Sequence, residues 1–131
     1  LLDRRVEQEV IPACAEFGLG MLPYFPLASG LLTGKYRCGE PAPHGTRLDV
    51  WDGGAAALSD KNFDILEKLT SFAESRGHTL LDLAMSWLAS QPTVASVIAG
   101  ATSAEQVAAN AKAGQWGLTA EELDEAAAGG A

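Results

Sequence analysis

The stretch SVIAGATSAEQVAAN, residues 96–110, changes character at Gly100, from apolar β-formers to a polar turn and then to a helical pattern. Together with Val94 and Ala95, the residues VASVI at 94–98 predict a buried strand. Ser103 followed three residues later by Gln106 is a capping box for a helix over about 104–113. A strand, a glycine and a helix N-terminus in that order also form the arrangement that presents free amides, at the positive end of a helix dipole, to an anion. Gly100 lets a ligand approach the backbone, while Thr102 and Ser103 add hydroxyls. Gln106 and Asn110 lie four residues apart on one helical face. Many capped helices bind nothing, so this stretch bears on the fold before it bears on function.

Working outward, MLPYF at 21–25 is a second short apolar run, followed by Pro26, and predicts another buried strand. Val6, Val10, Cys14 and Phe17 recur at helical spacing and predict an amphipathic helix over about residues 5–17, with Pro12 inside it as a bend or a later start. Gly18 and Gly20 stop it. From Pro26 to about Leu58 glycine, proline and polar residues dominate, with a turn or short helix allowed in LASGLL; a loop this long predicts a functional segment. Phe63, Leu66, Leu69 and Ala73 mark a helix begun by Ser59 or Asp60 and ended by Gly77. Leu80, Leu83, Ala84, Trp87 and Leu88 mark the next, capped by Thr79 with Asp82 and ended at Gln91-Pro92. Thr119 with Glu122 caps the last. Two buried strands separated by helices imply parallel pairing in an α/β fold. Two strands are too few for a complete parallel sheet, so the expectation is one portion of a larger barrel or layered sheet.

The 131 residues are 47% hydrophobic and 20% charged, within the range of ordinary folded domains and close to the size of one. The net charge of -8 opposes broad attraction to nucleic acid or anionic membranes. Nothing in the sequence reads as a membrane span or a signal peptide, and a cytoplasmic location is the expectation. Lys35, Arg37 and Arg47 form a local basic group with only Glu40 opposing them between its ends, and taken alone they read first as a solvated loop. Cys14 and Cys38 fit neither a metal hook nor a disulfide framework.

Two nucleotide fingerprints nearly form. GLGMLP at 18–23 begins like a dinucleotide glycine motif, but it follows a helix instead of opening one. GLLTGKY at 30–36 is one residue short of a P-loop and has Tyr36 where a magnesium-binding hydroxyl would stand. His44 and His78 lack spaced partners for a metal, and no nucleophile elbow accompanies Ser29.

PYFPLASGLLTGKY at 23–36, GTRL at 45–48 and VIAGATSAEQVAAN at 97–110, in this order and spacing, resemble the aldo-keto reductases, NADP(H)-dependent oxidoreductases built as (β/α)8 TIM barrels. The similarity runs along nearly the whole chain and is closer to the bacterial and potassium-channel β-subunit branch than to mammalian aldose reductases. It implies that Tyr24 stacks on the nicotinamide and that Phe25, Pro26, Leu27, Ala28, Ser29 and Gly30 run beside the cofactor. It places Lys35 near the pyrophosphate and Arg47 in a loop folded over the dinucleotide. Gly100, Thr102, Gln106 and Asn110 match positions around the adenosine 2'-phosphate and adenine, at the mouth of the last barrel strand.

The chain also departs from that pattern. Phe25 stands where the family often has serine, Ala109 where many members have glutamate, and Gly100 and Gln106 replace a lysine and an arginine of the mammalian type. The family's catalytic tyrosine, lysine, aspartate and histidine lie in the first half of its barrel, and no residue here is assigned as proton donor. A full barrel takes ~250 residues. The resemblance therefore implies a C-terminal barrel portion, residues 1–131 forming a single partial domain, from a parent that reduces aldehydes or ketones. The small carbonyl substrate would be reached through the other part of that parent. Two other readings stand beside it: a non-catalytic nucleotide-binding or interaction module, and a remnant that binds nothing and self-associates through an exposed barrel edge.

Overall fold

Four helices account for most of the order, and each begins where a side chain takes over an orphaned amide. The computed structural model describes residues 1–130. In chain order the helices are α1 (Val10–Glu16), α2 (Arg47–Val50), α3 (Gly54–Ala57), α4 (Asp60–Glu74), α5 (Leu80–Ala89), α6 (Ala104–Ala113) and α7 (Ala120–Gly129), with 3-10 turns at Arg5–Glu7 and Ala28–Thr33. Ser59 caps α4, and full capping boxes start α5 (Thr79 with Asp82) and α7 (Thr119 with Glu122). At the other end of α4 the chain turns through Gly77 at φ 76, and the His78 N–H reaches back to the Ala73 carbonyl.

The core lies between α4 and α5. Ile65, Leu66, Leu69, Phe72 and Ala73 from α4 meet Leu80, Leu83, Ala84 and Trp87 from α5, with Ala126 of α7 against them. Leu69 and Leu83 are almost wholly excluded from water, each contributing about 2 kcal/mol by burial. Leu31, Leu32, Tyr36 and Leu48 extend this core beneath the long connection. Ser86, also buried, donates to the Ala113 carbonyl at 2.7 Å and accepts from the Trp116 N–H at 3.0 Å, tying α5 to the end of α6.

Several expectations need correction. The helix predicted over 5–17 is only α1. Extending it back to residue 5 would require an N–H from Pro12 to the Gln8 carbonyl and would push the proline ring into that oxygen. Its intended buried face is largely exposed, Phe17 at 70% and Val10 at 47%. The strands predicted at 21–25 and 94–98 do not form, and the described residues contain no strand. One parallel bridge pairs Met21 with Val94, the Met21 N–H donating to Thr93 O at 2.7 Å and Ala95 N–H to Met21 O at 2.9 Å. The next donor on that side of the segment would be Pro23, which has no N–H, so the ladder stops after one rung. A barrel portion with formed strands is thus not what the backbone displays.

The box expected at Ser103 is half formed. Ser103 Oγ accepts from the Gln106 N–H at 3.3 Å, but the Gln106 side chain bonds Thr102, one residue earlier than a box requires. The connection at 26–58 is more ordered than a loop, since it holds the second 3-10 turn, α2 and α3. No helix among the described residues is long and apolar enough to cross a membrane.

Candidate functional site

The segment after the Met21 pairing is unusual in its backbone. Phe25, Ala28 and Ser29 are the non-glycine residues with positive φ among the described residues, at 55, 47 and 58, and Gly30 follows at 95. A side chain in that region costs roughly 1–3 kcal/mol, and such residues gather at functional sites. A Cβ on Gly30 would stand 2.9 Å from Lys35 Cε, the far end of a flexible side chain free to shift, so it is the positive φ that calls for glycine here.

This segment forms one wall of a cleft of about 460 Å³, lined by Phe25, Ala28 and Ser29 on one side and by Arg47, Trp51 and Asn62 on others. Arg47 lies with its guanidinium 5.0 Å from the centroid of the Phe25 ring, a cation–π contact. Tyr24 is 78% exposed, with its ring tilted against Phe25 at 4.9 Å between centroids. Tyr24, Phe25, Pro26 and Ala28 also line a neighbouring groove of about 570 Å³ that reaches Met21 and Val94. The Lys35 ammonium stands 5.1 Å from the centroid of the buried Tyr36 ring. Leu27 packs partly buried against the core under this corner.

The second group of predicted residues lies at the start of α6, and none of it lines either cleft. Gly100, Thr102 and Gln106 are exposed and Asn110 is partly buried. Gln106 Oε1 accepts from the Thr102 N–H at 2.7 Å and from its hydroxyl at 3.1 Å. Of the first-turn amides expected to face an anion, that of Gln106 is taken by Ser103 Oγ at 3.3 Å. A Cβ on Gly100 would meet nothing within 4 Å, leaving open space beside the backbone.

Arg47 and Ser29 in the cleft, with Lys35 outside its lining, would offer a phosphate-bearing dinucleotide a guanidinium, a hydroxyl and an ammonium near the rings of Phe25 and Trp51; Asp3, ion-paired with Arg5, also lines the cleft. Reading the sequence did not single out Trp51 or Asn62 as lining residues, nor Tyr36 beneath them. Trp51 stands three residues after GTRL, at the C-cap of α2, and an aromatic residue closing the short helix that Arg47 begins was the available signal. No group of three or more metal-ligating side chains occurs among the described residues. His44 pairs with Asp49 at 3.2 Å and His78 stacks on Trp116 at 4.0 Å between centroids. Desolvation and the carboxylates around Cys38, Asp60 foremost, push its thiol up, which disfavours the nucleophilic form.

Comparison with known proteins agrees with the motifs. The profile of the aldo/keto reductase family matches residues 1–128. A probable voltage-gated potassium channel subunit beta of Oryza sativa subsp. japonica is 40% identical over 111 residues, covering 83% of this chain and 34% of the relative. The L-glyceraldehyde 3-phosphate reductase of Escherichia coli (strain K12) is 35% identical over 117 residues, covering 86% of this chain and 34% of that protein. The NADH-specific methylglyoxal reductase of the same organism is 35% identical over 114 residues, with the same coverages. The chain spans about a third of the length of these curated relatives. With a profile matched from its first residue to Ala128, the chain belongs to the aldo/keto reductase family, a family of oxidoreductases.

Proposed function

We propose that this chain is the C-terminal, cofactor-binding portion of an NADP(H)-dependent aldo-keto reductase that converts aldehydes or ketones to alcohols. The observation that carries this reading is the cleft that brings Arg47 together with Phe25, Ala28 and Ser29, a segment distant from it in sequence. Beside it, the Lys35 ammonium lies over the Tyr36 ring. Bound NADPH would supply a hydride. The residues of this chain would hold it: Arg47 and Lys35 by charge, Ser29 by its hydroxyl, and Tyr24 and Phe25 by their aromatic faces. Gly100, Thr102, Gln106 and Asn110 are assigned to the adenosine end, where an incoming phosphate competes with Gln106 Oε1 for the Thr102 amide.

Two relatives are named for small aldehydes, which supports a small carbonyl compound as the substrate class. One of them is named NADH-specific, so the 2'-phosphate is the part of the reading to test first. Calorimetric titration of the 131-residue chain with NADPH and NADH provides that test. Saturable binding, tighter for NADPH, with no carbonyl reduction by this chain alone, is the expected result. Absence of binding to either nucleotide would remove the proposal. Equal affinities would retain a dinucleotide site but withdraw the 2'-phosphate.

A further inference from the structure

We infer that Tyr36 is a positioning residue that sets Arg47, Ser29 and Lys35 relative to one another, a role that rests on the dinucleotide reading above. Its ring is 5% exposed. Its hydroxyl is shared between two segments, donating to the Ser29 carbonyl at 3.3 Å and accepting from the Leu48 N–H at 3.4 Å. Ser29 belongs to the left-handed corner at the cleft wall, and Leu48 is the neighbour of Arg47 in α2. The Lys35 ammonium sits over the other part of the same side chain.

The Leu48 amide is in the first turn of α2, where no carbonyl inside the helix can receive it. A cap residue normally serves such a group, but Thr46, the residue before α2, turns its hydroxyl to the Pro43 carbonyl at 2.7 Å. Tyr36 takes over that duty from beneath. Both of its bonds are long, so their weight comes less from intrinsic strength than from the cost of leaving a buried amide and a buried phenol unpaired. Removing the hydroxyl leaves the Leu48 N–H without this acceptor, and Arg47 loses the point that fixes its helix to the corner.

The test is Tyr36→Phe, which keeps the buried ring and the face under Lys35. NADPH and NADH affinities are measured by calorimetry in the unsubstituted chain, Tyr36→Phe, Arg47→Met and the double variant, with amide exchange at Leu48 followed by NMR. The expected result is NADPH binding weakened about tenfold by Tyr36→Phe, an order of magnitude being a modest change in free energy. NADH should be affected less, and Tyr36→Phe should have little further effect once Arg47 is Met. Leu48 exchange should accelerate. Strictly additive losses, or unchanged NADPH binding, would overturn the role. If the unsubstituted chain binds no dinucleotide, it is the functional reading that fails, and this role falls with it. Should Tyr36→Phe not fold, fast exchange of Leu48 in the unsubstituted chain would by itself overturn the inference, and slow exchange would support it.

Discussion

Arg47 and Phe25 meet at the cleft that both line, guanidinium over ring at 5.0 Å. The contact places a rigid fork of donors, suited to phosphate oxygens, beside the aromatic end of a strained segment. Arg47→Ala should weaken NADPH binding by tenfold or more, the loss of one charge-assisted hydrogen bond being about 1.5–3 kcal/mol. NADH should lose less. Paired calorimetric titrations of both nucleotides check this, and equal losses would place Arg47 away from the 2'-phosphate.

The corner between α2 and α3 is closed by a glycine with no room for any side chain. A Cβ on Gly54 would overlap the Leu48 carbonyl oxygen and stand 2.9 Å from Leu48 Cα, both backbone atoms of α2. Gly54→Ala should therefore displace α2, at a cost of about 1–3 kcal/mol or more. The urea midpoint should fall and NADPH affinity should fall with it, because Arg47 rides on the displaced helix.

Ser86 offers a test of stability remote from the cleft. Ser86→Ala leaves the Ala113 carbonyl and the Trp116 amide without their buried partner, an expected cost of about 1–3 kcal/mol. Urea denaturation should report that loss, while the ratio of NADPH to NADH affinity should not move.

Acid should destabilise the chain through its caps. The Thr119 backbone N–H, and after it the Thr119 hydroxyl and Arg76, hold the Glu122 carboxyl below its ordinary value of 4.5. A carboxyl depressed on folding contributes stability that is present above the unfolded value and is lost as pH falls through the folded one. Thermal melts taken below about pH 4.5 should drop with acidification, and Glu122→Gln should flatten part of that slope. An unchanged slope in the variant would show that α7 does not depend on this charge.

The helices were legible because their signals are local. Ser59, Thr79 with Asp82, and Thr119 with Glu122 announce helix starts within a few residues, and α4, α5 and α7 begin there. The strands were read from apolar runs, but a strand exists only by pairing, and Pro23 limits what Met21 begins. The cleft was legible through Phe25, Ala28, Ser29 and Arg47, which a motif resemblance singles out. Tyr36 was not, because its part depends on where a buried hydroxyl lands between segments that sequence distance keeps apart. Trp51 and Asn62 were missed for a related reason: GTRL and the Ser59 cap mark where their helices begin, but not which side chain beyond them turns to the cleft.

The single rung between Met21 and Val94 also bears on the order in which the chain opens. Long-range pairings held by few hydrogen bonds have low opening free energies, whereas amides of a packed helix exchange only with global unfolding. The Met21 and Ala95 amides should therefore exchange well before those of Leu69 or Leu83. Tyr24, three residues beyond the rung, belongs to that early-opening unit. A ligand that docks against Tyr24 would spend part of its binding free energy on closing the unit, and protection at Met21 would then rise with saturation.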